Sequence, residues 1–453
     1  MGDVSRRSFL ERTGRLAAGS IAMSAAQYRR VSGANERVVL AGIGIGGRNS
    51  SLLSGFIKFD EIDIKYLCDV NEKREQIQRV SEFIHNARGK TPRFTAEMHE
   101  VLEDSDVQAV IIATPDHWHG PATVFACQAG KDVYVEKPIS HNIWEGRRMV
   151  EAARKYDRVV QCGTQNRSAE YNIKAREYIQ GGKLGKVHFV KVFNMKPGGR
   201  FTKGPDGKIP EGFDYDTWLG PAPSRPYNES VVRNWKLFWD FTADDLADDG
   251  AHQLDLARML IDRGHPKTVH SSGGKYAFKD DRETPDTLVT SYEYDDDLVM
   301  TFELTQWTPY MQKTPSEIRM GDKFPLWMQS ATRIEIYGTE GMMYMGRHGG
   351  GWQVFTGNAR VVAQEYGRFP DFQTPDPHKK NFIDCIRSRK KTNADIETGH
   401  LSACLIHLAG ISHRVGNEKL IFDPEKEIFL NHEKANQLLK RNYRKPYAIP
   451  EEV

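Results

Sequence analysis

Lys137 stands where a lysine can help to move a proton beside a bound cofactor. It belongs to Glu136-Lys137-Pro138, at the end of the apolar run Asp132-Val133-Tyr134-Val135. An ammonium at the edge of a parallel sheet, next to a proline that fixes the backbone, can reach a nicotinamide ring and hydrogen-bond a substrate hydroxyl. The grip for that cofactor lies earlier, in Gly42-Ile43-Gly44-Ile45-Gly46-Gly47 followed by Arg48. Gly42, Gly44 and Gly47 match the dinucleotide fingerprint: the first glycine permits a tight turn, the second lets the backbone approach pyrophosphate, and the third lets helix and strand pack closely. Phosphate then rests on a helix N-terminus, where free N–H groups and the dipole favour negative charge. Asp69, 22 residues after Gly47, is placed to accept hydrogen bonds from the adenosine ribose. A carboxylate there repels a 2′-phosphate, so NAD is the expected cofactor, while Lys73 and Arg74 keep NADP open. Thr114-Pro115-Asp116-His117-Trp118-His119 sits where the third strand should end, so Thr114, Pro115, His119 and Glu136 join the cofactor set. His117 and His119 lack a third ligand of clear spacing, and no metal is expected.

These groups need a doubly wound α/β scaffold to hold them. Val38-Val39-Leu40-Ala41, Ile62 to Leu67, Val107 to Ala113 and Asp132 to Val135 are short apolar runs of the kind buried on both faces of a parallel sheet, and helical stretches separate them. Beyond about Asp157 the texture changes. Val187 to Asn194, Thr287 to Tyr294, Leu298 to Leu304 and Arg333 to Tyr337 read as strands of a large, mostly antiparallel open sheet in an α+β domain. Asn381 to Ser388 and Leu401 to Val415 carry helical periodicity and should return to cover the sheet or the first domain. The expected division is 1–34 as a leader, 35–160 as the Rossmann domain and 161–453 as a substrate-binding and oligomerisation domain.

Composition closes off other classes. With 63 basic and 61 acidic residues the net charge is +2 in 453 residues, which gives no field to recruit nucleic acid or an anionic membrane. Five scattered cysteines, an odd number, argue against a disulfide framework. No apolar run is long enough to span a bilayer.

The intact Glu136-Lys137-Pro138, together with the glycine turn, closely resembles the Gfo/Idh/MocA family, whose members include glucose-fructose oxidoreductase and inositol dehydrogenases. The resemblance covers nearly the whole chain after the leader. It implies an acid and a histidine four apart on a helix of the second domain, here Asp248 and His252, a spacing that puts both on one helical face. Hydride leaves a carbinol carbon only if the hydroxyl proton leaves too, so a base must lie within about 3 Å of that oxygen. By resemblance, His252 and Lys137 share the proton work and Asp248 orients substrate. Relatives often carry a second histidine where Gln253 stands. Asp255 is either a partner for His252 or a solvated acid. Arg167, in Gly163-Thr164-Gln165-Asn166-Arg167, contacts phosphate or substrate, or else makes a structural salt bridge. Trp239, like Trp235 and the Asp216-Thr217-Trp218-Leu219-Gly220-Pro221 segment, resembles exported members of the family, and its ring suits a sugar face or simple packing.

Ser5-Arg6-Arg7-Ser8-Phe9-Leu10, followed by a small, mildly apolar stretch to Ala26, resembles a twin-arginine export signal. Cleavage is expected after Ser24-Ala25-Ala26, with Ala34 as a second candidate. That route carries folded proteins with cofactor inside and places this one in the periplasm or otherwise outside the cytoplasm, where free NAD(H) is scarce. The expected enzyme is therefore an NAD(P)-dependent oxidoreductase with tightly held cofactor, transferring hydride to or from a hydroxyl carbon of a sugar or cyclitol. The alternatives are a glycosidase or lyase that oxidises C3 transiently and eliminates the leaving group, and, more distantly, a non-catalytic sugar-binding module. By resemblance, subunits pair as a dimer or tetramer through the second domain's sheet.

Overall fold

Continuous β-branched runs build the first sheet. In a computed structural model, which describes residues 37–453, β1 (Val38–Ile43), β2 (Ile62–Cys68), β3 (Arg93–Thr95), β4 (Ala109–Ile112), β5 (Asp132–Val135) and β6 (Val160–Cys162) form a parallel sheet in the order β3-β2-β1-β4-β5-β6. Strands β4 and β5 are buried at every position, as strands covered by helices on both faces must be. The strand order reverses between β1 and β4. That switch point opens a crevice flanked by the Gly42–Gly47 turn and the Thr114 segment, where the sequence places the cofactor.

Alternating patterns build the second sheet. Strands β9 (Thr287–Tyr294) and β10 (Leu298–Thr305) bury every second residue, so one face packs and the other is open. They join β7 (Val187–Asn194), β8 (Thr268–Gly274), β11 (Thr332–Gly338), β12 (Met342–Gly346), β13 (Trp352–Thr356), β14 (Arg360–Glu365), β15 (Leu420–Asp423) and β16 (Ile428–Phe429) in the order β14-β13-β12-β11-β7-β10-β9-β8-β15-β16. All the neighbours with a described register pair antiparallel except β7 and β10, which run parallel at its centre.

Helices bind the two sheets into one body. Helix Asp249–Ile261 and helix Ile396–Arg414 pack Leu254, Leu260, Leu405 and Leu408 onto the second sheet. The start of the latter, Ile396 and Ala403, enters the Rossmann core together with Tyr447 and Ile449 of the C-terminal tail. Helix Pro377–Ser388 drives Phe382 and Ile383 into the other Rossmann face beside Phe56 and Tyr134. The returning helices thus cover both the sheet and the first domain, and the end of the chain does not keep to the 161–453 half. All five cysteines are buried and free. Among the described residues no helix is long and apolar enough to cross a membrane. The leader 1–34, with its paired arginines and cleavage positions, lies outside the described residues.

Candidate active site

The glycine turn does what the fingerprint requires, with the roles assigned differently from the sequence reading. The residue that permits close helix–strand packing is Gly42, since a Cβ there would stand 2.7 Å from Leu53 Cδ1 of helix Gly47–Phe56. The tight turn falls on Gly44, whose φ is +78° and whose Cβ would stand 2.8 Å from the Cα of Thr114. Gly46 and Gly47 face open space, with nothing within 4 Å of an added Cβ, and no side chain caps the helix they start. An uncapped helix N-terminus opening onto a bare glycine cradle at the sheet's switch point fits a dinucleotide diphosphate. Asp69 accepts from the N–H groups of Ile45 (2.7 Å) and Asn71 (2.9 Å) and pairs with Arg74 at 3.1 Å. It is therefore fixed beside the cradle with its lone pairs partly used.

The residues after the glycines brace the edge of the sheet. Arg48 Nε pairs with Glu136 at 2.7 Å, and Nη1 reaches Asp371 at 3.4 Å, so in this structure both Arg48 and Glu136 hold the sheet edge. Glu136 packs under Gly163, where a Cβ would come within 2.7 Å of its carboxyl carbon. His119 links the two loops that follow β4 and β5, with ring nitrogens 3.0 Å from the carbonyl of Thr114 and 2.6 Å from that of Pro138. Of this group Thr114 keeps a buried hydroxyl without a partner among the described residues.

Lys137 crosses from this edge to the second domain. Its Nζ donates to Asp248 Oδ1 at 2.7 Å and to the Asp248 carbonyl at 2.9 Å. An ammonium has three N–H groups, so one remains to meet a substrate oxygen. Asp248 does not share a helical face with His252 as the spacing implies. It interrupts the helix, with ψ of −91° between Asp244–Ala247 and Asp249–Ile261, and turns to Lys137 while its Oδ2 takes Lys236 at 2.7 Å. Gly250 makes the junction possible, since a Cβ there would lie 2.9 Å from the carbonyl oxygen of Asp245 and 2.9 Å from Phe302. Burial disfavours the Asp248 charge, but the ammonium groups of Lys137 and Lys236 outweigh this and hold its pKa well below the usual carboxylate range.

His252 is buried one turn on, its Nδ1 without a partner among the described residues. Burial, reinforced by the cations Arg347 and Lys137, holds its pKa well below the ordinary imidazole value, so the ring is neutral. Arg347 reaches Asp249 at 3.3 Å, and Lys196 bridges Asp249 (2.6 Å) and Asp245 (2.9 Å). Sequence reasoning missed Lys196, Lys236 and Arg347. The paired acids Asp244-Asp245 and Asp248-Asp249 were the visible half of that network.

Two expected substrate residues lie elsewhere. Arg167 spends Nε on Asp255 at 2.8 and 3.0 Å, and the pair is nearly sealed from solvent; this is the salt-bridge alternative for Arg167, and it makes Asp255 neither a partner of His252 nor a solvated acid. Arg167→Ala is expected to destabilise the protein by about 3–5 kcal/mol, because it strands a buried carboxylate, and to leave KM unchanged. Chemical denaturation and initial rates check this; a raised KM at unaltered stability would return Arg167 to the substrate. Trp239 donates Nε1 to the carbonyl of Glu283 at 3.1 Å and lies under the guanidinium of Arg414. It lines a cavity with Pro138, His141 and His407, whose walls include none of Lys137, Asp248 or His252. Trp218 is packing too, stacked on Tyr215 and wedged against Phe241. His117 bonds the carbonyl of Trp218 at 2.9 Å, and burial lowers its pKa to about 3.

A diphosphate cradle at a Rossmann switch point, with a lysine, an acid and a neutral histidine converging beside it from two domains, defines a dinucleotide-dependent oxidoreductase. The chain belongs to the Gfo/Idh/MocA oxidoreductase family: residues 37–164 match its NAD-binding Rossmann fold, and residues 193–301 and 336–449 match its C-terminal alpha/beta domain. It is 25% identical over 311 residues to scyllo-inositol 2-dehydrogenase (NAD(+)) of Bacillus subtilis (strain 168), a match covering 66% of this chain and 73% of the relative. It is 29% identical over 176 residues to a glycosyl hydrolase family 109 protein of Shewanella sp. (strain MR-4), covering 34% of this chain and 38% of that protein. The fold matches the crystal structure of aldose-aldose oxidoreductase from Caulobacter crescentus complexed with glycerol, with a TM-score of 0.60 at 18% identity, over 85% of this chain and 100% of the other.

Proposed function

We propose that this protein oxidises or reduces a hydroxyl carbon of a sugar or cyclitol with an NAD(H) that stays bound between half-reactions. The observation that carries the reading is the Lys137 to Asp248 contact at 2.7 Å, which brings the Rossmann edge to the second domain beside a neutral His252. Bound NAD supplies the hydride acceptor or donor. Asp248, anchored between Lys137 and Lys236, fixes the ammonium, whose remaining N–H holds the substrate oxygen and shares the proton work with His252. His252, kept unprotonated by burial and by Arg347, takes the hydroxyl proton as the hydride departs and returns it readily, since its charged form is disfavoured. The relatedness to an inositol dehydrogenase supports the polyol substrate, and the paired arginines at Arg6-Arg7 support export by the twin-arginine route. Exposed Val289, Val361 and Ile421 support pairing of subunits through the second domain's sheet.

A second reading, redox-neutral glycoside cleavage, draws support from the family 109 relative. In that reaction C3 is oxidised, the C2 proton is removed, the leaving group departs, and water addition and reduction follow. The test is to purify the full chain without added cofactor, extract the nucleotide, and screen sugars and glycosides by product analysis. Bound NAD(H) with an oxidised or reduced sugar as product is the expected result. Sugar release without net NADH would replace it with the second reading. An empty protein that turns over only with supplied NAD would end the retained-cofactor part.

A further inference from the structure

His265, His400, Cys404 and Glu427 come together where helix Ile396–Arg414 passes the Rossmann domain, in a group that includes none of Lys137, Asp248 and His252. His400 and Cys404 stand four apart on helix Ile396–Arg414, so one helical face presents both. His265 lies in the turn between helix Asp249–Ile261 and β8, and Glu427 lies between β15 and β16. The four side chains are almost wholly enclosed, and their nitrogen, sulfur and oxygen ligand atoms all lie within 4.8 Å of one another. Helix Asp249–Ile261 spans roughly 20 Å, and the cluster sits beyond its C-terminal end while His252 lies in its first turn.

Hydrogen bonding alone accounts poorly for this cluster. Glu427 Oε1 lies 2.7 Å from His400 Nε2, 3.0 Å from His265 Nε2 and 2.7 Å from Arg147 Nη2. Three donors would compete for one carboxylate oxygen, which offers about two lone-pair sites. Cys404 Sγ lies 3.6 Å from His400 Nε2. A tetrahedral zinc ion, with Zn–S of about 2.3 Å and Zn–N or Zn–O of about 2.0–2.1 Å, separates sulfur from nitrogen by roughly 3.6 Å and nitrogen from oxygen by roughly 3.3 Å. The sulfur spacing therefore already fits, and the two imidazoles at 2.7 and 3.0 Å from Glu427 would move outward by about half an ångström on loading.

We propose that His265, His400, Cys404 and Glu427 form a closed, structural zinc site that pins helix Ile396–Arg414 between the two domains. The donor set selects the metal. Two imidazoles, a thiol and one carboxylate suit zinc, whereas calcium and magnesium take oxygen. Binding releases the Cys404 proton, and the dication with thiolate and carboxylate is then neutral. Arg147, on helix Ile143–Lys155 of the Rossmann domain, holds the carboxylate from behind through Nε (3.1 Å) and Nη2 (2.7 Å), with Glu397 3.1 Å from its Nη1. That is the outer support a ligating carboxylate needs. Four protein ligands leave no open position, so the ion would serve stability and not the redox reaction. The sequence expectation of no metal was framed on His117 and His119. This cluster escapes it because two loops and a helix, far apart in sequence, supply the ligands.

The test is elemental analysis of the full-length protein purified from zinc-supplemented medium without chelator. About one zinc per chain is expected, with a chelator lowering Tm by roughly 10 °C and zinc alone restoring it. His265→Ala and Cys404→Ser should each abolish the bound zinc. If Cys404→Ser fails to fold, His265→Ala and the wild-type metal content still decide. Wild-type protein without zinc whose Tm responds to neither zinc nor chelator would overturn the site, and so would stoichiometric loading by another metal. The bound nucleotide is read separately, so the outcome is independent of the proposed reaction.

Discussion

Lys137→Ala is expected to lower kcat/KM by about three orders of magnitude, within the range for a group that handles the reacting proton, while NAD affinity changes little. The asymmetry follows from position. Lys137 touches Asp248 and no part of the Gly42–Gly47 turn, whose open glycines form the diphosphate cradle. The charge of Lys137 leaves a pH signature of its own. Lys137 is one of the cations that hold His252 below its ordinary pKa, so its removal lets that pKa rise. The residual activity should then lose its acid limb at a higher pH than the wild type, whose limb lies below the normal imidazole range. Lys137→Arg separates the two roles, because it keeps the charge facing Asp248 and His252 but cannot give up a proton. Initial rates across pH for the three proteins decide. An alanine variant that keeps wild-type kcat/KM, or an arginine variant as fast as wild type, removes Lys137 from the proton chemistry, and an unmoved acid limb in the alanine variant removes its charge from the control of His252.

What could be read from the chain divides along the range of the forces involved. Strands buried on both faces, such as Ala109–Ile112 and Asp132–Val135, announce themselves by composition, and Thr287–Tyr294 does so by alternation. Strand Arg360–Glu365 does not, because it is an edge strand exposed along most of its length. Met342–Gly346 escapes as well, being short and rich in methionine. In the site, Lys137, Asp248 and His252 sit at family spacings, but the cations that set their charge states arrive from Lys236 and Arg347 through contacts no local pattern encodes. Spacing alone also misplaced Asp248, since i to i+4 logic assumes an unbroken helix. Arg167 and Trp239 stayed open for another reason. A guanidinium serves an anionic ligand or a buried aspartate equally well, and an indole serves a sugar face or a tryptophan-lined wall, so residue type cannot choose between them.

Gly46→Asp should weaken NAD binding by about two orders of magnitude, equivalent to about 3 kcal/mol, without harming the fold. Gly46 has φ of −82°, a conformation open to any residue, and an added Cβ meets nothing within 4 Å. It is also the N-cap of helix Gly47–Phe56, where no side chain now accepts a hydrogen bond. Aspartate is among the best residues at that position, so the apoprotein's Tm should hold or rise. Its carboxylate, however, takes the place and the N–H groups that a diphosphate needs, and repels it. Gly46→Ala adds bulk without charge and should cost far less affinity. Gly44→Val is the opposite case, because a side chain at φ of +78° is strained and a Cβ would press within 2.8 Å of Thr114. It should lose stability and NAD binding together. Calorimetric titration of nucleotide-stripped protein, paired with thermal melts, separates the three. If Gly46→Asp binds NAD as tightly as wild type, the open glycines are not the diphosphate cradle, and the crevice between β1 and β4 holds something else.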